Sequence, residues 1–185
     1  QIISDIVELS EIDAGLVKFN ETEVNLESLF HEVYSVHLRD SENKNLELIL
    51  ENKIPHERSF VYSDQEKITQ ILNNLVSNGI KYTKAGKVKI SCELDKDKIV
   101  IIVSDTGIGI KPDKLHEIFD RFRQVELDLS RSYGGLGIGL TLVEGFVKCL
   151  SGSINVRSEF GKGSEFIVKL PYHPVVAGLQ ESISG

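Results

Sequence analysis

The sequence predicts an α+β domain, on three observations. Residues 99–103 read Ile-Val-Ile-Ile-Val, an apolar and mostly β-branched run that suits a strand covered on both faces. Val88, Ile90, Cys92 and Leu94 alternate with polar residues, as do Ile154 and Val156 and then Phe166, Val168 and Leu170. That period of two is the mark of half-buried strands. Between these stretches Ile68, Ile71, Leu72 and Leu75, and later Leu140, Val143, Val147 and Leu150, recur at helical spacing.

The 185 residues suffice for one substantial core and a short appendage. A formal net charge of −7 leaves no basic excess to neutralise phosphates, which excludes a dedicated nucleic-acid binder. Cys92 and Cys149 both sit in apolar-periodic segments and read as reduced, buried thiols. Five histidines without paired ligand spacing do not make a metal site. The sequence shows no secretory signal and no apolar run of membrane-spanning length. It opens mid-pattern without Met, the expectation for an excised fragment.

Residues 1–14 carry Ile2, Ile6 and Leu9 at helical spacing, with Gly15 as a stop. So short a helix needs a partner; it fits either the stub of a longer coiled coil or a helix packed on its own domain. Residues 24–38 predict a second helix, capped by Asn25, with Leu26, Leu29, Phe30 and Val33 as its stripe. Leu46, Leu48 and Leu50 alternate in a strand that ends near Pro55. Asp64 caps a helix over residues 65–82. Beside its core stripe runs a second, polar one of Asn74, Asn78 and Lys81 at i, i+4 and i+7. Asparagine is unusual inside helices because it competes for backbone hydrogen bonds. Alone, that stripe reads first as a solvated face; it also fits a metal–phosphate site, with one carboxamide oxygen on Mg²⁺ and an ammonium on phosphate.

The run at 99–103 ends in Asp105, followed by Gly107 and Gly109. A carboxylate leaving a covered strand needs donors, and the glycines permit close backbone approach to a ligand. Asp-x-Gly-x-Gly by itself fits a capped turn as well as a pocket that reads an amino group. Pro112 opens a short helix with Leu115, Ile118, Phe119 and Phe122 in register. Residues 125–133 have the profile of a mobile loop, a lid in waiting. Gly134, Gly135, Gly137 and Gly139 then run straight into a helix, where their amides make an anion cradle.

Together these motifs resemble sensor histidine kinases. Asn74-Leu-Val-Ser-Asn78-Gly-Ile-Lys81-Tyr82 resembles the N box, and Asp105-Thr-Gly107-Ile-Gly109 the G1 box. Ile118-Phe119-Asp-Arg-Phe122 is similar to the F box, Gly134-Gly-Leu-Gly137-Ile-Gly139-Leu to the G2 box, and Gly161-Lys-Gly-Ser164-Glu-Phe166 to the terminal glycine motif. The resemblance implies the Bergerat fold, a two-layer α/β sandwich with a mixed sheet of about five strands against three helices. It divides the chain into a helical stub at 1–15, a catalytic ATP-binding domain at 16–171 and a tail or linker at 172–185. It implies ATP and Mg²⁺ as cofactors. Asn78 would hold Mg²⁺, Asn74 sit beside the phosphates, Lys81 contact phosphate and Tyr82 lie near the nucleotide. Asp105 would accept from the adenine amino group with Gly107, Gly109 and Ile110 nearby, and Ser164 would join that end through water. Gly135, Leu136, Gly137, Ile138, Gly139 and Leu140 would line the phosphates, with Phe122 also at the nucleotide and Arg131 adding charge at the γ-phosphate.

Three departures stand out. Gly79 replaces the family's usual Ala, a cost of about 1 kcal/mol to the helix. Leu136 and Ile138 stand where Thr and Leu are commoner. No histidine lies in a His-Glu-x-Arg-Thr/Ser-Pro setting; His31-Glu32 is followed by Tyr34 and Val36. The resemblance therefore implies a protein-histidine kinase domain that passes the γ-phosphoryl of Mg-ATP to a histidine on a separate dimerisation domain. Its partners would be that domain, within a homodimeric parent, and a response regulator receiver domain downstream. The location implied is cytoplasmic, for a parent that can be anchored in the inner membrane. Two other functions share the fold: an ATP-hydrolysing clamp of the gyrase or chaperone type, and an ATP-sensing degenerate kinase. The clamps usually place Glu at the position of Asn74, which favours the kinase.

Overall fold

The computed structural model describes residues 2–120 and 137–176. In chain order it has α1 (Ile2–Asp13), β1 (Thr22–Asn25), α2 (Leu26–Asn43), β2 (Leu46–Asn52), β3 (Phe60–Ser63), α3 (Gln65–Tyr82), β4 (Gly86–Asp95), β5 (Lys98–Asp105), α4 (Gly139–Cys149), β6 (Ser153–Glu159) and β7 (Gly163–Pro171). Five strands form one mixed sheet in the order β2-β4-β5-β7-β6. The β2–β4 pair is parallel, with α3 in the crossover that a parallel pair requires, and the other pairs are antiparallel. Helices α2, α3 and α4 cover one face. This is the two-layer sandwich the motifs imply.

Strand parity explains the layering. Leu48, Val88, Ile90, Ile101, Val103, Phe166 and Val168 point to the helices and are buried; the alternate positions form the other face, where Lys87 and Glu93 are exposed but Val100 and Ile167 are buried. From α2 and α3, Phe30, Leu26, Ile68, Ile71, Leu72 and Leu75 fill the space above the sheet. Cys92 is in this core, where burial pushes its thiol up to about 12, so it stays protonated. Cys149 is half-buried. Gly79 is explained by the layer beneath it: a Cβ there would meet Val88 Cγ1 at 3.0 Å and Asp105 Cβ at 3.7 Å, so glycine lets α3 settle onto the sheet.

The second helix begins later than its pattern predicts. Val24 belongs to β1, and Asn25 is the cap, its side chain accepting from Ser28 N at 3.1 Å. The β1–β3 pair is a separate two-stranded sheet, and residues 60–63 show too short a run to announce a strand. The segment after Pro171, patternless in sequence, continues along β3: Tyr62 N donates to His173 O and Val175 N to Phe60 O. The helix expected after Pro112 is a single 3-10 turn, Pro112–Lys114, with turns beyond it. Ile118 and Phe119 still pack on the core.

α1 lies against the helical layer. Leu9 is buried, and Ile12 occupies the space beside Gly145 of α4, where a Cβ would come within 2.7 Å of Ile12 Cδ1. Gln70 Nε2 donates to Glu8 Oε1 at 2.9 Å. The connection from α1 to β1 is held by the start of α3. There Asp64 Oδ2 accepts from Asn20 N at 2.9 Å and from Lys67 Nζ at 2.7 Å, while Lys67 Nζ also donates to Lys18 O at 2.6 Å. Among the described residues no helix is long and apolar enough to cross a membrane.

Candidate functional site

The site is strung along α3. The helix begins where Asp64 Oδ1 accepts from Lys67 N, and it ends where Thr83 N bonds Gly79 O and Lys44 Nζ holds the carbonyls of Ile80 and Lys81. Both ends are thus fixed, and so is the polar stripe between them. Asn74 and Asn78 are half-buried. The Asn74 carboxamide donates to Gln70 O at 3.0 Å and turns its oxygen to α4: a Cβ on Gly139 would lie 2.8 Å from Asn74 Oδ1. Gly139 therefore permits contact between the asparagine stripe and the first turn of α4. Among the described residues that turn has no side-chain cap, so its amides are open to an anion. Gly137, at φ +71°, makes the bend into it, and Ile138 is buried beneath. Leu140 follows, half-buried.

The other end of α3 meets the Asp105 turn. Ile108 N donates to Tyr82 O, and a Cβ on Gly107 would come within 2.5 Å of that same oxygen. Gly109, at φ +64°, lies so close to Glu159 O that a Cβ would sit 2.1 Å from it. Asp105 is half-buried on the helix-facing side of the sheet. Burial raises its pKa above the usual carboxylate value, and the Gly107 amide, which donates to Oδ1 at 2.8 Å, together with the nearby Ser164 amide offsets this only in part. Thr83 is buried next to it, and its Oγ1 has no hydrogen-bond partner among the described residues. An orphaned buried hydroxyl beside a partly desolvated carboxylate is what a polar ligand or water would complete. Lys81 Nζ stands 5.0 Å above the Tyr82 ring, so the stripe's cation lies at the helix end nearer Asp105.

The structure thus brings Asn74, Gly139 and the α4 start together at one end, and Tyr82, Asp105, Gly107, Gly109, Ile110 and Ser164 at the other. About 12 Å of helix, eight residues at 1.5 Å each, separates Asn74 from Tyr82. Phe122, Gly135, Leu136, Arg131 and the loop at 125–133 lie outside the described residues. Among the described residues no group of three His, Cys, Asp or Glu side chains gathers as a metal cage. A lone carboxamide oxygen at Asn78 fits Mg²⁺ held mainly by phosphate and water.

Sequence reasoning missed Thr83 and Ser158. Ser158 had a signal: it continues the inward parity of Ile154 and Val156 along β6. Thr83 had none, because its significance lies in what surrounds it.

This geometry has known counterparts. Residues 63–174 match the family described as histidine kinase-, DNA gyrase B- and HSP90-like ATPase. The chain belongs to this family. The autoinducer 2 sensor kinase/phosphatase LuxQ of Vibrio parahaemolyticus is 38% identical over 176 residues, covering 92% of this chain and 20% of the relative. The circadian input-output histidine kinase CikA of Synechococcus elongatus is 30% identical over 177 residues, 95% of this chain and 24% of the relative. The chain spans about a fifth to a quarter of the length of these curated relatives. Among solved structures, full-length ShkA in complex with AMPPNP matches with a TM-score of 0.85 at 26% identity, over 95% of this chain and 36% of that one. The catalytic domain of histidine kinase ThkA, in a nucleotide-free form, matches with a TM-score of 0.71 at 28% identity, over 83% of this chain and 96% of that one. The chain is accordingly a histidine kinase-type ATPase catalytic domain.

Proposed function

We propose that this domain binds Mg-ATP along α3 and presents its γ-phosphoryl group to a histidine on a separate dimerisation domain. The observation that carries the reading is the Asn74–Gly139 contact, which unites an asparagine stripe with an open helix N-terminus while the same helix abuts Asp105 at its far end. In this reading Asp105 takes the adenine amino group, with the hydroxyl of Ser164 beside it. The uncapped amides of Gly139 and Leu140 receive the phosphates, and Lys81 adds positive charge. Asn78 is the side chain that would hold Mg²⁺, which when bound neutralises phosphate charge. Phosphoryl transfer asks mainly for positioning and charge neutralisation, and these are what the residues of the cleft supply. Asn74 donates to a backbone carbonyl of its own helix. A carboxamide is no base for activating water, which favours kinase over hydrolysing clamp.

In this proposal residues 1–15 are the end of a dimerisation helix, 16–171 the catalytic unit and 172–185 a tail or linker whose first residues pair with β3. The acceptor domain, within a homodimeric parent, and a downstream receiver domain are the partners. Joining this chain to an acceptor domain and assaying with γ-labelled ATP tests the reading. Acid-labile phosphohistidine is the expected product. Steady ATP hydrolysis without it would favour the clamp, and nucleotide binding with neither would favour a sensing module.

A further inference from the structure

Strand pairing sets Leu48, Val88, Asp105, Ser164 and Ser158 opposite one another in a single row across all five strands. Residues directly opposite share a face. The row is apolar over its first two strands and polar over its last three, and the polar half is the Asp105 end of the candidate site.

The hydrogens in that half can be counted. Ser158 Oγ lies 2.8 Å from Ile110 N, 2.9 Å from Gly163 O and 2.9 Å from Ser164 Oγ. An amide can only donate and a carbonyl only accept. The single proton of Ser158 therefore goes to Gly163 O, and a lone pair takes the Ile110 N–H. The proton shared between the two hydroxyls then comes from Ser164. With its proton committed to Ser158, the hydroxyl of buried Ser164 keeps only lone pairs to offer a ligand.

We propose that Ser158 is a specificity-positioning residue: it fixes the Ser164 hydroxyl as an acceptor, so that this pocket selects a purine with a 6-amino group and rejects one with a 6-carbonyl. Asp105 and Ser164 then present acceptors side by side. An exocyclic amino group has two N–H donors for them, whereas a carbonyl oxygen meets lone pairs. The inference rests on the reading above, in which Asp105 faces the base.

Calorimetry on the whole chain with Mg-ATP and Mg-ITP tests it, for the wild type, Ser158→Ala, Ser158→Thr and Asp105→Asn. Ser158→Ala frees the Ser164 hydroxyl to rotate and donate, so the ATP-over-ITP preference should fall about fivefold, the worth of one net hydrogen bond. Ser158→Thr keeps the hydroxyl and should restore the preference. A purely structural brace would weaken both nucleotides alike; an unchanged ratio in Ser158→Ala overturns the inference. If Ser158→Ala does not fold, Ser158→Cys, similar in shape but a weak donor, carries the same expectation. Asp105→Asn separates the two levels. If it lowers the ratio and the Ser158 variants do not, this inference alone fails; if it too leaves the ratio unchanged, the base-pocket reading fails with it.

Discussion

Asp105 and Ser164 stand directly opposite each other across the β5–β7 pair. The amide of Gly107 donates to the Asp105 carboxylate at 2.8 Å, and that of Ser164 lies near enough to lower its pKa further. These amides do not fully compensate its burial, so its proton is held more tightly than in water. A carboxylate kept in that state gains from a further donor, and the purine amino group would supply one.

ATP affinity should therefore depend on the ionisation of Asp105. Its folded pKa is raised, so between about pH 4, the usual carboxylate value, and that raised value the folded protein holds more protons than the unfolded chain. This group's contribution to stability therefore falls as pH rises through that window. Binding runs the other way, because the carboxylate accepts the Gly107 amide and a ligand's donor more strongly than the protonated acid does. ATP affinity should climb with pH across the same window. Asp105→Asn should remove that segment of the profile and weaken ATP about tenfold at neutral pH, the loss of one charge-assisted hydrogen bond. Calorimetric titrations of both proteins against pH check this; parallel profiles would contradict it.

Asn78→Ala should separate metal-assisted binding from folding. The side chain is half-buried on a helix, and Ala is the better helix former, so stability should move by no more than about 0.5 kcal/mol. Magnesium-dependent ATP affinity should fall at least about tenfold, approaching the value measured with chelator. Titrations with and without Mg²⁺ make the comparison, and an undiminished magnesium effect would move the ion to other residues.

Two glycines should fail in different ways. At Gly109 a side chain meets Glu159 O within 2.1 Å on a backbone at φ +64°, so Gly109→Ala should cost about 1–3 kcal/mol of stability. Gly139 is helical, and its added Cβ would press only on the carboxamide tip of Asn74 at 2.8 Å. Gly139→Ala should leave stability within about 1 kcal/mol and instead weaken ATP about tenfold by displacing Asn74. Urea unfolding and nucleotide titration of the two variants should show this reversal.

How much of this was legible in the sequence depends on where the signal is stored. Period two alone puts Asp105 on the inward face with Ile99, Ile101 and Val103, and Ser164 with Phe166 and Val168. The pairing that sets them opposite is a matter of register, which no local pattern prints. The helix from Gln65 to Tyr82 was fully legible, because Asp64 caps it and its stripe is regular. The start of α2 was not: Val24 has the helix's apolar character but is claimed by pairing with Val61 of β3. β3 itself has only four residues and draws its stability from β1 on one side and the segment around Pro174 on the other. Gly79 looked like a defect in its helix and is a packing requirement, visible only once Val88 lies beneath it.

The clasp at the head of α3 gives the last prediction. Asp64 and Lys67 are both buried, paired at 2.7 Å, and between them bind the backbone of Lys18 and Asn20, the connection to α1. Burial by itself would raise the Asp64 pKa. The Lys67 ammonium, with the amides of Asn20 and Lys67, outweighs it and holds the carboxyl below its usual range. The sign is opposite to that of Asp105: the stabilisation is complete above about pH 4 and is lost as pH falls through the lowered folded value. Asp64→Ala leaves a buried ammonium without its partner and strips the helix cap, and should cost about 3–5 kcal/mol at neutral pH. Replacing both charges, as Asp64→Asn with Lys67→Met, should recover much of that loss, since the desolvation of two ions disappears with them. Urea midpoints at neutral and acid pH should show the wild type losing stability in acid and the double variant losing less. An Asp64→Ala protein as stable as the wild type would mean that the connection to α1 is held by packing alone.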